Sequence, residues 1–123
     1  MPIGDLDLAI LSFVADNPSS TVTDAAKELF HPDDMEELRR RDTMLRHRYK
    51  NLRVGNLLQS EKSGNRTLYS INPEKAIFGA GLQNLEIGGH KWETPDLTSD
   101  YCIVLIMDGK VEVHSLDELD RRW

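Results

Sequence analysis

The sequence predicts an α+β fold of three helices and a β-hairpin, followed by a second hairpin and a short helix. Three observations carry this. Apolar residues recur at helical spacing through the first half of the chain. The run NLLQSEKSGNRTLYSINPE, residues 56–74, places two short extended stretches around a polar turn containing Gly64. Asp108-Gly109 separates YCIVLIM from KVEVHSL, and a type I′ hairpin turn needs positive φ at both central positions.

The elements follow in order. Residues 5–16 read as a helix, with Asp5 as its cap and Leu6, Ala9, Ile10, Phe13 and Val14 as its apolar stripe; Asn17-Pro18 stops it. In SSTVTDAAKELF, Thr21 is an N-cap with Asp24 three residues on, and Val22, Ala25, Ala26 and Leu29 give a small buried face. HPDD interrupts the pattern. MEELRRR, residues 35–41, is helical in composition and either runs on into the next segment or bends near Asp42, itself a possible N-cap. Over residues 43–54, Leu45, Tyr49 and Leu52 cluster within about 60° at 100° per residue. Thr43, Arg46, His47 and Lys50 lie opposite them, with Arg53 at the edge, and Gly55 is expected to end the helix as a left-handed residue. After Pro73, residues 75–85 suggest a short helix interrupted by glycines and residues 87–100 a loop. Ser115 and Glu118 form a capping box that predicts the C-terminal helix.

Charge is unevenly placed. The 123 residues carry net charge −6, yet RRRDTMLRHRYKNLR, residues 39–53, holds seven of the fifteen Lys and Arg. Residues 39–66 are net +7, and the remaining 95 are net −13. A basic segment on an acidic body draws a polyanion to one face and repels it elsewhere. An apolar stripe, an opposite cationic face, a basic hairpin next in sequence and an acidic remainder coincide, which counts against the alternative of a solvated helix and a plain hairpin.

This order resembles the winged helix-turn-helix of prokaryotic and archaeal transcription regulators, over residues 5–73. TVTDAAKELF is similar to the positioning helix, DTMLRHRYKNL with VGNLL to the recognition helix and its exit, and SEKSGNRTLYSI to the wing. HPDDMEELRRR departs from the pattern by being longer than the usual link. The resemblance implies a recognition helix over about residues 42–54 in the major groove and a wing over about residues 60–67 on the minor groove or backbone. By that analogy Thr43, Arg46, His47, Lys50 and Arg53 sit in or beside the major groove. Arg39, Arg40 and Arg41, with Lys62, Asn65 and Arg66 of the wing, anchor phosphates. The groove, ~12 Å wide, admits one helix, and Arg and Lys suit guanine O6 and N7.

The expected organisation is a DNA-binding domain at residues 1–73 and a packing or dimerising extension at residues 74–123. Tyr101 to Met107 is apolar at every position, whereas the strand after it alternates. That suggests a strand covered on both faces; the second cover is expected from another copy, giving a homodimer through residues 75–123 with half-sites roughly 34 Å apart, the alternative being a strand packed on the first domain of its own chain.

The lone Cys102 excludes an intrachain disulfide and reads as a buried thiol. The N-terminus lacks the pattern of a signal peptide, and no apolar run spans a bilayer, so a cytoplasmic protein without a membrane partner is expected. His31, His47, His90, His114 and Cys102 lack zinc-site spacing, GAGLQN does not follow a strand, and no catalytic set is recognisable; no enzyme activity, metal or cofactor is expected. The competing expectation is a winged-helix protein-interaction module whose basic helix docks on an acidic partner.

Overall fold

In a computed structural model, which describes residues 3–80, 85–87, 90–92 and 101–116, the fold is α+β. The chain divides into two compact units, the first ending at Ile71 and the second beginning at Asn72, two residues before the boundary that composition suggests.

The first unit contains α1 (Asp5–Asp16), α2 (Val22–Phe30), α3 (Met35–Val54) and the hairpin of β1 (Leu58–Ser63) and β2 (Arg66–Ile71). Asp5 does not cap α1. The N-cap is Gly4, whose N–H donates to the Asp7 carboxylate at 3.0 Å. The buried stripe of α1 is Leu8, Ala9, Ile10, Leu11 and Val14, while Leu6 and Phe13 are half-buried. Asp7, only 1% exposed, lies 3.5 Å from Arg48 Nη1 and so links α1 to α3. Helix α2 begins as its sequence implies. The Asp24 N–H donates to Thr21 Oγ1 at 3.1 Å, and the Thr21 N–H donates to Asp24 Oδ2 at 3.0 Å.

Helix α3 is continuous over 20 residues, so residues 35–41 belong to it and Asp42 is interior rather than a cap. Asp34 supplies the cap, accepting the Glu37 N–H at 2.8 Å. No Gly or Pro interrupts residues 35–54, and the interior Asp42 carboxylate is satisfied by side chains instead of competing for backbone N–H groups. The end of α3 also departs from expectation. Gly55 has φ −76°, and the left-handed residue is Asn56 at φ 64°. The Leu57 N–H donates to the Leu52 carbonyl and the Asn56 N–H to the Arg53 carbonyl, both at 3.0 Å. Those two bonds make a Schellman motif, and Leu52 and Leu57, both fully buried, provide its apolar contact.

Ile10, Leu11 and Val14 of α1, Ala25 and Ala26 of α2, and Leu45, Tyr49 and Leu52 of α3 are all fully buried and form the core of this unit. The two alanines keep α2 and α3 close. β1 and β2 pair antiparallel from Leu58↔Ile71 to Ser63↔Arg66. Their two-residue turn has φ +62° at Gly64, and glycine is what a type II′ hairpin turn takes at its first position. Ser20 adds one antiparallel bridge to Tyr69, so the chain entering α2 is stitched to β2. The Tyr69 ring packs edge-on against Tyr49 at 4.8 Å, locking the hairpin to α3.

The second unit holds β3 (Ala76–Ala80), β4 (Leu85–Ile87), β5 (His90–Trp92), β6 (Tyr101–Met107) and β7 (Lys110–Ser115). Residues 76–80 form a strand where a helix was expected. Residues 85–87 and 90–92 pair antiparallel, in part where a loop was expected. Gly79 disfavours a helix, and β6 offers a long apolar edge on which Ile77 and Phe78 pair well. The sheet order is β3-β6-β7. Asp108 and Gly109 both have positive φ and close the β6–β7 turn as the dipeptide implies. Ser115 is the last residue of β7, and the C-terminal helix expected after it, with Glu118, lies outside the described residues. Val104 packs with Ile77, Ile106, Val111 and Val113 on one face of the sheet. Cys102 to Leu105 are at most 1% exposed within the single chain, so that burial does not require a second copy.

Candidate nucleic-acid interface

The continuity of α3 decides the geometry of its basic face. At 100° per residue, Arg39, Thr43, Arg46, Lys50 and Arg53 fall within about 80° of one another, along about 21 Å of helix axis. All five are exposed. The buried residues Leu38, Leu45, Tyr49 and Leu52 occupy a different sector, directed into the core. Arg40 and His47 flank the stripe and are exposed.

Arg41 is placed differently from Arg39 and Arg40. It lies on the far side of the helix from the stripe, half-buried, with its guanidinium carbon 4.6 Å from the centre of the Phe30 ring. A cation held over an aromatic face on the protein's own α2 contributes to packing between α2 and α3.

Several stripe residues are fixed. The Thr43 hydroxyl donates to the Arg39 carbonyl at 2.9 Å, so its own Oγ1–H is committed to the helix. Arg53 Nε donates to Ser60 Oγ at 2.9 Å and ties the end of α3 to β1. Arg46 Nε donates to Asp42 Oδ2 at 2.7 Å, and Asp42 Oδ1 accepts the Thr23 hydroxyl of α2 at 2.7 Å. Sequence reasoning missed this Thr23–Asp42–Arg46 chain. The i,i+4 spacing of Asp42 and Arg46 was visible, but the contribution of Thr23 is tertiary.

Lys62, Asn65 and Arg66 are exposed at and beside the hairpin tip. The fold brings Asn65 and Arg66 to the same open cleft, about 370 Å³, as Arg46 of α3 and Thr23 and Lys27 of α2. Asp24 also lines it. The Thr21 backbone N–H holds the Asp24 carboxyl below its ordinary 3.8, against a smaller opposing effect of burial; the Thr21 hydroxyl, Arg66 and Lys27 lower it further. A depressed carboxyl stabilises the fold above pH 3.8, and this support of the α2 cap is lost as pH falls through the lower folded value.

Among the described residues no group of three or more His, Cys, Asp or Glu side chains is arranged to hold a metal, and no helix is long and apolar enough to cross a membrane. No protein-family model matches the chain, and no curated protein or solved structure matches it significantly.

Proposed function

We propose that this protein binds double-stranded DNA in a sequence-dependent way, with α3 in the major groove and the β1–β2 hairpin as a wing beside it, as a cytoplasmic transcriptional regulator does. One observation carries the reading: a stripe of Arg39, Thr43, Arg46, Lys50 and Arg53 runs along one exposed face of a helix, and a separate sector of that helix is packed into its own domain. A helix that reads a groove needs one face for the protein and one for the base edges, and this division supplies both. Arg39, Arg40, Lys62 and Arg66 meet phosphates, while Thr43, Arg46, His47 and Lys50 lie where base contacts are made. The acidic remainder of the chain limits non-specific coating of DNA.

The test is selection from a randomised duplex library at about 0.15 M salt, followed by the salt dependence on any enriched sequence. An enriched motif with a steep salt slope supports the reading. Weak, sequence-blind binding overturns it and favours a module that docks an acidic protein. Arg46→Ala is expected to cost about 1–3 kcal/mol on the enriched site and to relax preference at one position, measured by competition between sites differing there.

Pairing of two copies through residues 75–123 belongs to the same proposal as a means of presenting two recognition helices to a palindrome. It predicts twice the chain mass by light scattering and a two-fold symmetric enriched motif. A monomeric mass with a single half-site motif rejects the dimer and leaves the DNA reading intact.

A further inference from the structure

We propose that Asp42 is a positioning residue which, held by Thr23, presents the guanidinium of Arg46 to a guanine base; the inference rests on the DNA-binding reading above. An ordinary i,i+4 ion pair on an exposed helix holds its partners loosely and contributes little. This pair differs at its acidic end. The Asp42 side chain is only 15% exposed, against 63% for Arg46. One of its oxygens accepts the Thr23 hydroxyl of the neighbouring helix at 2.7 Å, and the other accepts Arg46 Nε at 2.7 Å. The carboxylate is thus anchored from a second element before it engages the arginine.

The atom used on Arg46 matters. Engaging Nε orients the plane of the guanidinium and leaves the Nη1–Nη2 edge as a pair of parallel donors. That edge matches the O6 and N7 acceptors that guanine presents in the major groove, a match that requires the arginine plane to be set. The placement of the charge agrees with this. A carboxylate beside the basic stripe of α3 opposes a phosphate backbone and weakens binding that depends on charge alone. Orientation of the neighbouring donor is what compensates for it. Arg46 also lines the cleft shared with Asn65 and Arg66 of the hairpin, so this arginine and the hairpin tip border one open surface.

Electrostatics and positioning predict opposite signs for Asp42→Asn, which makes the test sharp. The full chain and its Asp42→Asn, Thr23→Val, Arg46→Lys and Asp42→Asn/Arg46→Lys variants are measured against the library-enriched duplex, the same duplex with each guanine replaced in turn, and an unrelated duplex. Asp42→Asn removes a negative charge, so binding to the unrelated duplex stays equal or tightens. Discrimination at one guanine falls about 5- to 150-fold, the range a bidentate arginine contact spans. Arg46→Lys, which keeps the charge but loses the fork, loses discrimination at that same guanine. The double variant loses nothing further there, because Asp42 acts only through Arg46. Thr23→Val keeps every charge and weakens the same discrimination, so the proposal stays testable should Asp42→Asn unfold the helix pair. Retained guanine discrimination in Asp42→Asn or, if that variant unfolds, in Thr23→Val overturns the proposal. Parallel loss on specific and unrelated duplexes also overturns it, since that is what a merely structural role produces. A wild-type chain that enriches no sequence overturns the DNA-binding reading itself, and this inference with it.

Discussion

Tyr49→Ala is expected to lower the unfolding free energy of the first unit by about 3–5 kcal/mol, the range for emptying a large aromatic site in a closed core. Tyr49 is fully buried, and its ring is the contact on which the edge of Tyr69 rests at 4.8 Å. The substitution therefore removes the largest side chain of α3's buried face and also releases the hairpin from the helix. With total stability of a small domain typically about 5–15 kcal/mol, urea denaturation should show the midpoint falling by a large fraction. Tyr49→Phe separates the ring from the hydroxyl. The Tyr49 hydroxyl is buried without a hydrogen-bond partner among the described residues, so removing it relieves a desolvation cost and leaves stability unchanged or raised by about 1 kcal/mol. A loss comparable to that of Tyr49→Ala would show that the hydroxyl, not the ring, holds the site. The same burial, reinforced by Tyr69 and Asp24, pushes the phenol well above its ordinary 10.0. The folded protein therefore keeps a proton that the unfolded chain releases. The associated stability is fully present below pH 10 and declines as pH rises beyond it.

Replacing Arg39, Arg40, Lys62 and Arg66 together by alanine is expected to leave the fold intact and to weaken DNA binding about a thousand-fold at about 0.15 M salt. All four side chains are exposed, and surface substitutions of this kind change stability by at most about 0.5 kcal/mol each. Each phosphate contact contributes about −0.9 to the slope of log K against log salt, so four lost contacts flatten it by about 3–4. The wild-type and variant lines therefore converge toward high salt. Fluorescence anisotropy over a salt series measures both quantities. Arg41→Ala is the internal control: its guanidinium lies over Phe30, so it should cost some stability and leave the slope unchanged. An unchanged slope in the fourfold variant would mean that this face does not meet phosphate. A reduced slope in Arg41→Ala would mean that the cation leaves Phe30 when DNA binds.

Local signals in the chain already determined much of this. The Thr21/Asp24 box starts α2 because its partners lie three residues apart, and Asp108-Gly109 closes a hairpin because both residues tolerate positive φ. Leu45, Tyr49 and Leu52 mark the buried side of α3 through spacing alone. The basic composition of residues 39–66, and hence most of the candidate interface, is equally plain in one dimension.

Tertiary structure decided the remainder, in each case where the deciding partner is distant in sequence. Whether Asp42 stops a helix or sits within one depends on Thr23, 19 residues away. Whether residues 76–80 coil or extend depends on β6, whose apolar edge pairs with Ile77 and Phe78 despite the glycine-interrupted helical pattern. Arg41 turned inward because continuity of α3 rotated it away from Arg39 and onto Phe30. Propensity and periodicity express the free energy of a segment alone. Burial, pairing and the satisfaction of a carboxylate express the free energy of what that segment meets, and where the two conflicted, the contacts prevailed.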